Sequence, residues 1–256
     1  MPVLSDLTAA LASGAVRVID LTAPLSSDTP LLELPPELGQ TARFELEEIS
    51  RYDDRGPAWY WNNFHTGEHT GTHFDAPIHW VSGKDRDDIA TVPLSAFVAP
   101  AVVLDVTSRV EENPNFLIEV ADIEAFVTEH GPLPQGGWLL CRTGWSGRVT
   151  QEEMINRTDT GPSSPGMSVD CARWVAEESP LQGIGVETVG TDAGAAHSFD
   201  PAFPCHSFLL GAGKYGLAQL QNLDRLPPVG AVVVASPLKI VGGSGSPVRV
   251  LALVED

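Results

Sequence analysis

The chain has 256 residues, with 34 acidic and 15 basic side chains and a formal net charge of −19. Charged residues make up only 19% of it, below the roughly 25% of an average soluble domain, so the acidity is mainly a shortage of Lys and Arg. Without basic clusters to displace counterions, nucleic-acid and anionic-membrane partners are excluded, and 43% apolar content excludes a disordered acidic chain.

No repeat or low-complexity linker divides the sequence, so one domain over residues 1–256 is expected. Met1-Pro-Val-Leu-Ser-Asp lacks the basic-then-apolar pattern of an export signal. No apolar run approaches the ~18 residues of a membrane span. A cytoplasmic protein is expected. Leu4–Leu11 fits a short helix and Val16–Leu21 a strand. The polar, Pro-rich segment Ser26–Gly39 reads as loop. Ala42–Ile49 alternates apolar and polar, which is strand periodicity. The adjacent Asn62 and Asn63 offer amide hydrogen bonds or make a turn.

Ala101–Val106 and Trp138–Cys141 are short apolar runs that fit buried strands. Between them, Ala121–His130 fits a helix with Asp122 as N-cap and Gly131 as its stop. Met154–Met167 is rich in Gly, Pro, Ser and Asn and reads as a loop with the makings of a lid. Ser168 can cap a helix over Val169–Glu178, and Gly183–Glu187 reads as a strand. The irregular stretch Gly190–Cys205 is long enough to point to function. Ala231–Ala235 and Val248–Val254 close the chain as strands, with the turn Gly242-Gly-Ser-Gly-Ser between them. The expected class is α/β with a mixed sheet, not a regular βαβ array. Cys141, Cys171 and Cys205 match no zinc knuckle or disulfide framework and are expected reduced and buried.

Four of the seven histidines fall between His65 and His79. The run His69-Thr-Gly-Thr-His73-Phe-Asp75-Ala-Pro77-Ile-His79 has the pattern H-x-G-T-H-x-D-x-P-x-H. Two imidazoles and a carboxylate can hold Zn, Mn or Fe and leave coordination positions open. The Thr-Gly-Thr centre disfavours a helix. On an extended chain all four positions share one face. A straight strand fails too, because six residues at ~3.3 Å would separate His69 from Asp75 by about 20 Å. The chain must therefore bend, and Gly71 permits it. His65 lies close enough to support the site, and His130 ends a helix, where a cation suits the dipole.

This segment resembles the signature of the metal-dependent cyclase-like hydrolase family, which includes bacterial kynurenine formamidases, isatin hydrolases and some γ-lactamases. All seven fixed positions are present. Ile19-Asp-Leu-Thr, His206-Ser-Phe-Leu-Leu-Gly-Ala-Gly and Leu226-Pro-Pro-Val-Gly-Ala extend the resemblance along most of the chain. It implies a swivelling β/β/α fold with a barrel-like mixed sheet, a dimer or higher homo-oligomer, and hydrolysis of amides or cyclic amides. It implies His69, His73 and Asp75 as metal ligands, His79 as the catalytic histidine and His206 as a histidine near the metal. Binuclear formamidases of the family pair that last histidine with a glutamate twelve residues on. Here Ala218 stands there, followed by Gln219. The departure tilts the expectation to one divalent ion, Mn or Zn, and to the isatin-hydrolase-like branch, with His206 relaying a proton to the substrate.

On this reading a metal ion polarises the amide carbonyl and acidifies water. His79, oriented by Pro77, takes the proton of the attacking water and returns it to the leaving nitrogen. Trp59, Tyr60, Trp61, Phe64, Phe74 and Trp80 crowd the motif. Trp61, Trp80 and Phe64 are the candidates for stacking on a flat bicyclic lactam. An open-chain arylformamide is the alternative substrate. A metal-binding protein without catalysis is the alternative class, and the extra histidine, His79, counts against it. Gly211-Ala-Gly-Lys-Tyr-Gly matches G-x-G-x-x-G, but no acidic residue follows about 20 positions on, so a turn is expected. Cys141 ends an apolar run without an identifiable orienting group. No serine nucleophile elbow occurs.

Overall fold

A computed structural model describes residues 2–35 and 37–255. Pro36, inside the expected 26–39 loop, lies outside the described residues; the rest of that segment carries no helix or strand. The chain opens with α1 (Val3–Ser13), β1 (Val16–Asp20), β2 (Glu45–Asp53), β3 (Gly56–His65) and β4 (His73–Asp75). It continues through β5 (Val98–Asp105), α2 (Thr107–Glu112), β6 (Leu117–Ile118), α3 (Val120–His130), β7 (Trp138–Arg142) and α4 (Gln151–Ile155). Then come β8 (Gly166–Met167), α5 (Val169–Glu177), β9 (Gly183–Val186), a π-helical turn Cys205–Leu210 and β10 (Tyr215–Ala218). β11 (Ala231–Ala235), β12 (Gly245–Pro247) and β13 (Val250–Glu255) close it.

Nine strands form one mixed sheet in the order β1-β13-β11-β5-β7-β9-β10-β4-β12, curled into a half-barrel. The central strands β5, β7, β9 and β10 run parallel, and every other pairing in this sheet is antiparallel. Parallel strands are covered on both faces, which explains the unbroken apolar runs of β5 and β7. Their side chains alternate between two cores. Val103, Trp138 and Leu140 join Ile19, Phe74, Leu217 and Val250 on one face. Val102, Leu104, Leu139 and Cys141 meet Ile123, Phe126, Cys171 and Val175 of α3 and α5 on the other. β11 and β13 bury alternate residues, as one-sided strands do.

The helices follow their caps. Ser168 Oγ accepts from Cys171 N at 3.2 Å and donates to Glu119 Oε2 at 2.6 Å, so one serine ties the starts of α5 and α3. α3 begins earlier than expected. Glu119 is its N-cap, and Asp122 sits three residues on as the capping-box partner, accepting from Glu119 N at 2.8 Å. The Asn62-Asn63 pair is not a turn. Both lie inside β3, opposite Glu48 and Glu47, and Asn63 Nδ2 donates to Glu47 Oε2 at 2.9 Å. The β2–β3 ribbon forms a separate two-stranded sheet, with Leu46, Tyr60, Trp61 and Phe64 exposed.

The 154–167 segment is better anchored than a free loop. It begins inside α4 and ends in β8. Asn156 Nδ2 donates to Ser163 O, and Gly194 N donates to Ser164 O. Gln151 pairs both ways with the backbone of Leu31, holding the Pro-rich segment against α4. The glycine-rich turn before β13 is also partly regular: Gly245–Pro247 is β12, paired with β4. All three cysteines are free and buried. No described helix is long and apolar enough to cross a membrane.

Candidate active site

The bend required between His69 and His73 is present at Gly71, whose φ is +67°. A Cβ there would be strained by that backbone and would meet Leu25 Cδ1 at 3.1 Å. After the bend, β4 sends His73 and Asp75 to one face and Phe74 into the core on the other. The bend also returns His69 over the strand, so that His69 Nδ1 lies 2.7 Å from Asp75 Oδ1. Asp75 is flanked by Gly216 of β10 and Gly245 of β12. A Cβ at Gly216 would lie 2.8 Å from Asp75 Oδ2, and one at Gly245 would lie 2.6 Å from His69 Cε1. The G-x-G-x-x-G run therefore ends in a glycine that makes room for the aspartate.

Hydrogen bonds fix the protons of both imidazoles. His73 Nδ1 lies 2.7 Å from Gly71 O, which accepts only, so Nδ1 carries the proton. Its Nε2 lone pair then faces Asp75 Oδ1 at 3.4 Å. Ser244 donates its hydroxyl to Glu68 Oε2, leaving its oxygen to accept from His69 Nε2 at 2.8 Å. Without an ion, His69 carries a second proton on Nδ1 and donates it to Asp75 Oδ1 at 2.7 Å. With that proton released, two imidazole nitrogens and a carboxylate oxygen converge at these distances. That donor set fits a divalent metal ion.

His79 completes the cluster from a 3-10 turn, Pro77–His79, that opens on the buried proline. Its ring stacks on His69 with centroids 3.7 Å apart. His69, Asp75 and His79 form the candidate metal site, with one ligand atom from each lying within 4.8 Å of the others. His73 Nε2 is a fourth donor against the same carboxylate oxygen. His206 enters from the π-helical turn, 5.4 Å from His79 between ring centroids. Trp80 lies 4.8 Å from His206 and 6.2 Å from His79, closing that side together with Phe203.

The charges divide the site. Burial by itself would raise the Asp75 pKa, but His73 and His69 hold it well below the ordinary carboxylate value. Burial pushes His79 down to about 3 against the pull of Asp75, so its imidazole is neutral. His206 goes the other way. Burial opposes its charge, yet the hydrogen bond and charge of Asp192, with Asp75 beyond, raise it above the ordinary value.

The other expected residues are placed differently. Phe64 stacks on Phe44 at 6.1 Å, and Trp61 is half exposed on β3; neither shares the ring contacts that Trp80 makes with the histidines. His65 is exposed at the end of β3, and His130 packs on Phe126 at the end of α3. Burial and Glu187 push the Cys141 thiol up to about 12, which removes it as a nucleophile. Ala218 pairs with His73 in the sheet, and Gln219 Nε2 donates to Pro30 O at 2.8 Å. Three polar residues around the histidines were not singled out from sequence: Ser244, Glu68 and Asp192. Asp192 lies within the irregular 190–205 stretch, whose length was the only signal for it. Ser244 and Glu68 carried none.

The Cyclase family profile matches residues 19–193. Over 255 residues the chain is 43% identical to an isatin hydrolase of Roseibium aggregatum, covering 98% of this chain and 97% of that one. Its backbone superposes on isatin hydrolase A from Labrenzia aggregata, solved with benzyl benzoate, with TM-score 0.96, 50% identity and 99% of each chain covered. An isatin hydrolase bound to the product analogue thioisatinate matches with TM-score 0.96 and 42% identity, covering 99% of this chain and 98% of that one. The chain belongs to the Cyclase family.

Proposed function

We propose that this protein hydrolyses the C–N bond of a cyclic amide, with isatin as its substrate, and that one divalent ion, Mn or Zn, is held by His69, His73 and Asp75. The observation that carries the reading is the convergence of His69 Nδ1 and His73 Nε2 on Asp75 Oδ1. Near full-length likeness to isatin hydrolases supports the substrate. An amide is a poor electrophile and water a poor nucleophile at neutral pH. The ion supplies Lewis acidity to the carbonyl and lowers the pKa of water.

The chain's own residues do the rest. Asp75 brings the negative charge that retains a cation. Gly71 and Ser244 fix which nitrogen of each ligand histidine faces it. His79, stacked on His69, stands beside the ligand set and takes the proton of the attacking water. His206, its ring centroid 5.4 Å from that of His79, delivers a proton to the leaving nitrogen. Trp80 lies against both rings and offers its face to a flat bicyclic lactam. Ala218 and the engaged Gln219 supply no carboxylate at the position where binuclear relatives carry the glutamate for a second ion. The three free cysteines fit a cytoplasmic setting.

Chelation tests this reading. Stripping the protein of metal should abolish isatin turnover, and adding back Mn or Zn should restore it. Full turnover by the stripped protein would overturn it.

A further inference from the structure

Asp192 is a buried carboxylate with no part in the scheme above. It follows β9 at the start of the irregular 190–205 stretch and reaches across to the start of the π-helical turn. Oδ1 accepts from Cys205 N at 2.7 Å. Oδ2 accepts from His206 N at 3.2 Å and lies 2.5 Å from His206 Nδ1. Thr191 Oγ1 also lies beside that ring nitrogen, farther off at 3.4 Å. Three of the roughly four acceptor positions of the carboxylate are therefore spent within the chain.

We infer that Asp192 is a positioning residue that holds the proton of His206 on Nδ1 and so reserves Nε2 for exchange with the substrate. The inference rests on the proposed hydrolase reading for its catalytic consequence, but not for the proton's location. An ionised carboxylate can only accept, so Nδ1 must donate to it. The two backbone bonds lock the carboxylate to the same turn that carries His206, so ring and acceptor move as one body. Whether the ring is neutral or charged, Nδ1 keeps its proton and Nε2 is the nitrogen that gains or loses one. An aspartate that fixes the tautomer and orientation of a catalytic histidine is a recurrent device.

The test is tautomer and turnover in the Asp192→Ala variant. Its methyl group offers Nδ1 no acceptor, so the ring proton moves to Nε2, the nitrogen a free imidazole favours. Zn-loaded, 15N-labelled protein at a pH where the ring is neutral reports the protonated nitrogen through two-bond 1H–15N correlations. The His206 signals are assigned by their loss in His206→Gln. The parent should show Nδ1–H and the variant Nε2–H. The variant should keep its zinc and its KM and lose at least about 100-fold in kcat. An Nε2–H signal in the parent overturns the inference even if the variant does not fold. So does a variant with unchanged tautomer, or one with near-parental kcat. A parent that shows Nδ1–H but does not hydrolyse isatin overturns the hydrolase reading and leaves the assignment of the proton intact.

Discussion

Two aspartate–histidine pairs belong to this site, and their surroundings give them different work. Asp75 lies 2.7 Å from His69 and 3.4 Å from His73, each ring turning toward it the nitrogen that its other hydrogen bond leaves over. Asp192 lies 2.5 Å from His206 and is otherwise met by the backbone N–H groups of Cys205 and His206 and by the Cys205 thiol. The first carboxylate shares its oxygen with two ring nitrogens and makes a ligand set with them. The second is spent on donors of its own turn and on one ring nitrogen. Distance alone would equate the pairs; the groups around each carboxylate separate them.

The largest effect that could break this contrast is at Asp75. Asp75→Asn keeps the shape but removes the negative charge that retains a cation beside the two imidazoles. Metal content should fall to background, and activity should drop by more than the roughly 10–100-fold typical of losing a residue that only supports a ligand. Elemental analysis with an isatin assay measures both, and a variant that kept its metal would remove the distinction between the pairs. A smaller effect is expected at Ser244. Ser244→Ala frees His69 Nε2 from its acceptor while sparing every ligand atom. Metal affinity should weaken by about 10–100-fold, read by competition with a chelator. Unchanged affinity would mean that the His69 tautomer is set elsewhere.

The metal side of this contrast was legible in the sequence and the other side was not, for a physical reason. His69, Gly71, His73, Asp75 and His79 lie within eleven residues, so the reach of the chain alone demanded a bend, and Gly71 supplies it. Ser244 meets His69 across 175 positions, and only the pairing of β12 with β4 brings it there. Strands followed the same rule. β5, β7 and β11 declare themselves by apolar runs that are buried wherever they lie. β4, β10 and β12 span three or four residues and exist because neighbours in the sheet supply their hydrogen bonds. β3 hid behind Asn62 and Asn63, whose turn preference yields to pairing with Glu47 and Glu48 in a ribbon.

The central claim is that His69, His73 and Asp75 hold the ion while His79, although within 4.8 Å of the ligand atoms, moves protons. The most direct measurement is metal content and turnover of His79→Ala beside the parent. The account predicts one ion per chain in both and a loss of about 10²–10⁴-fold in kcat for the variant. A variant that emerges without its ion would make His79 a ligand and contradict the account.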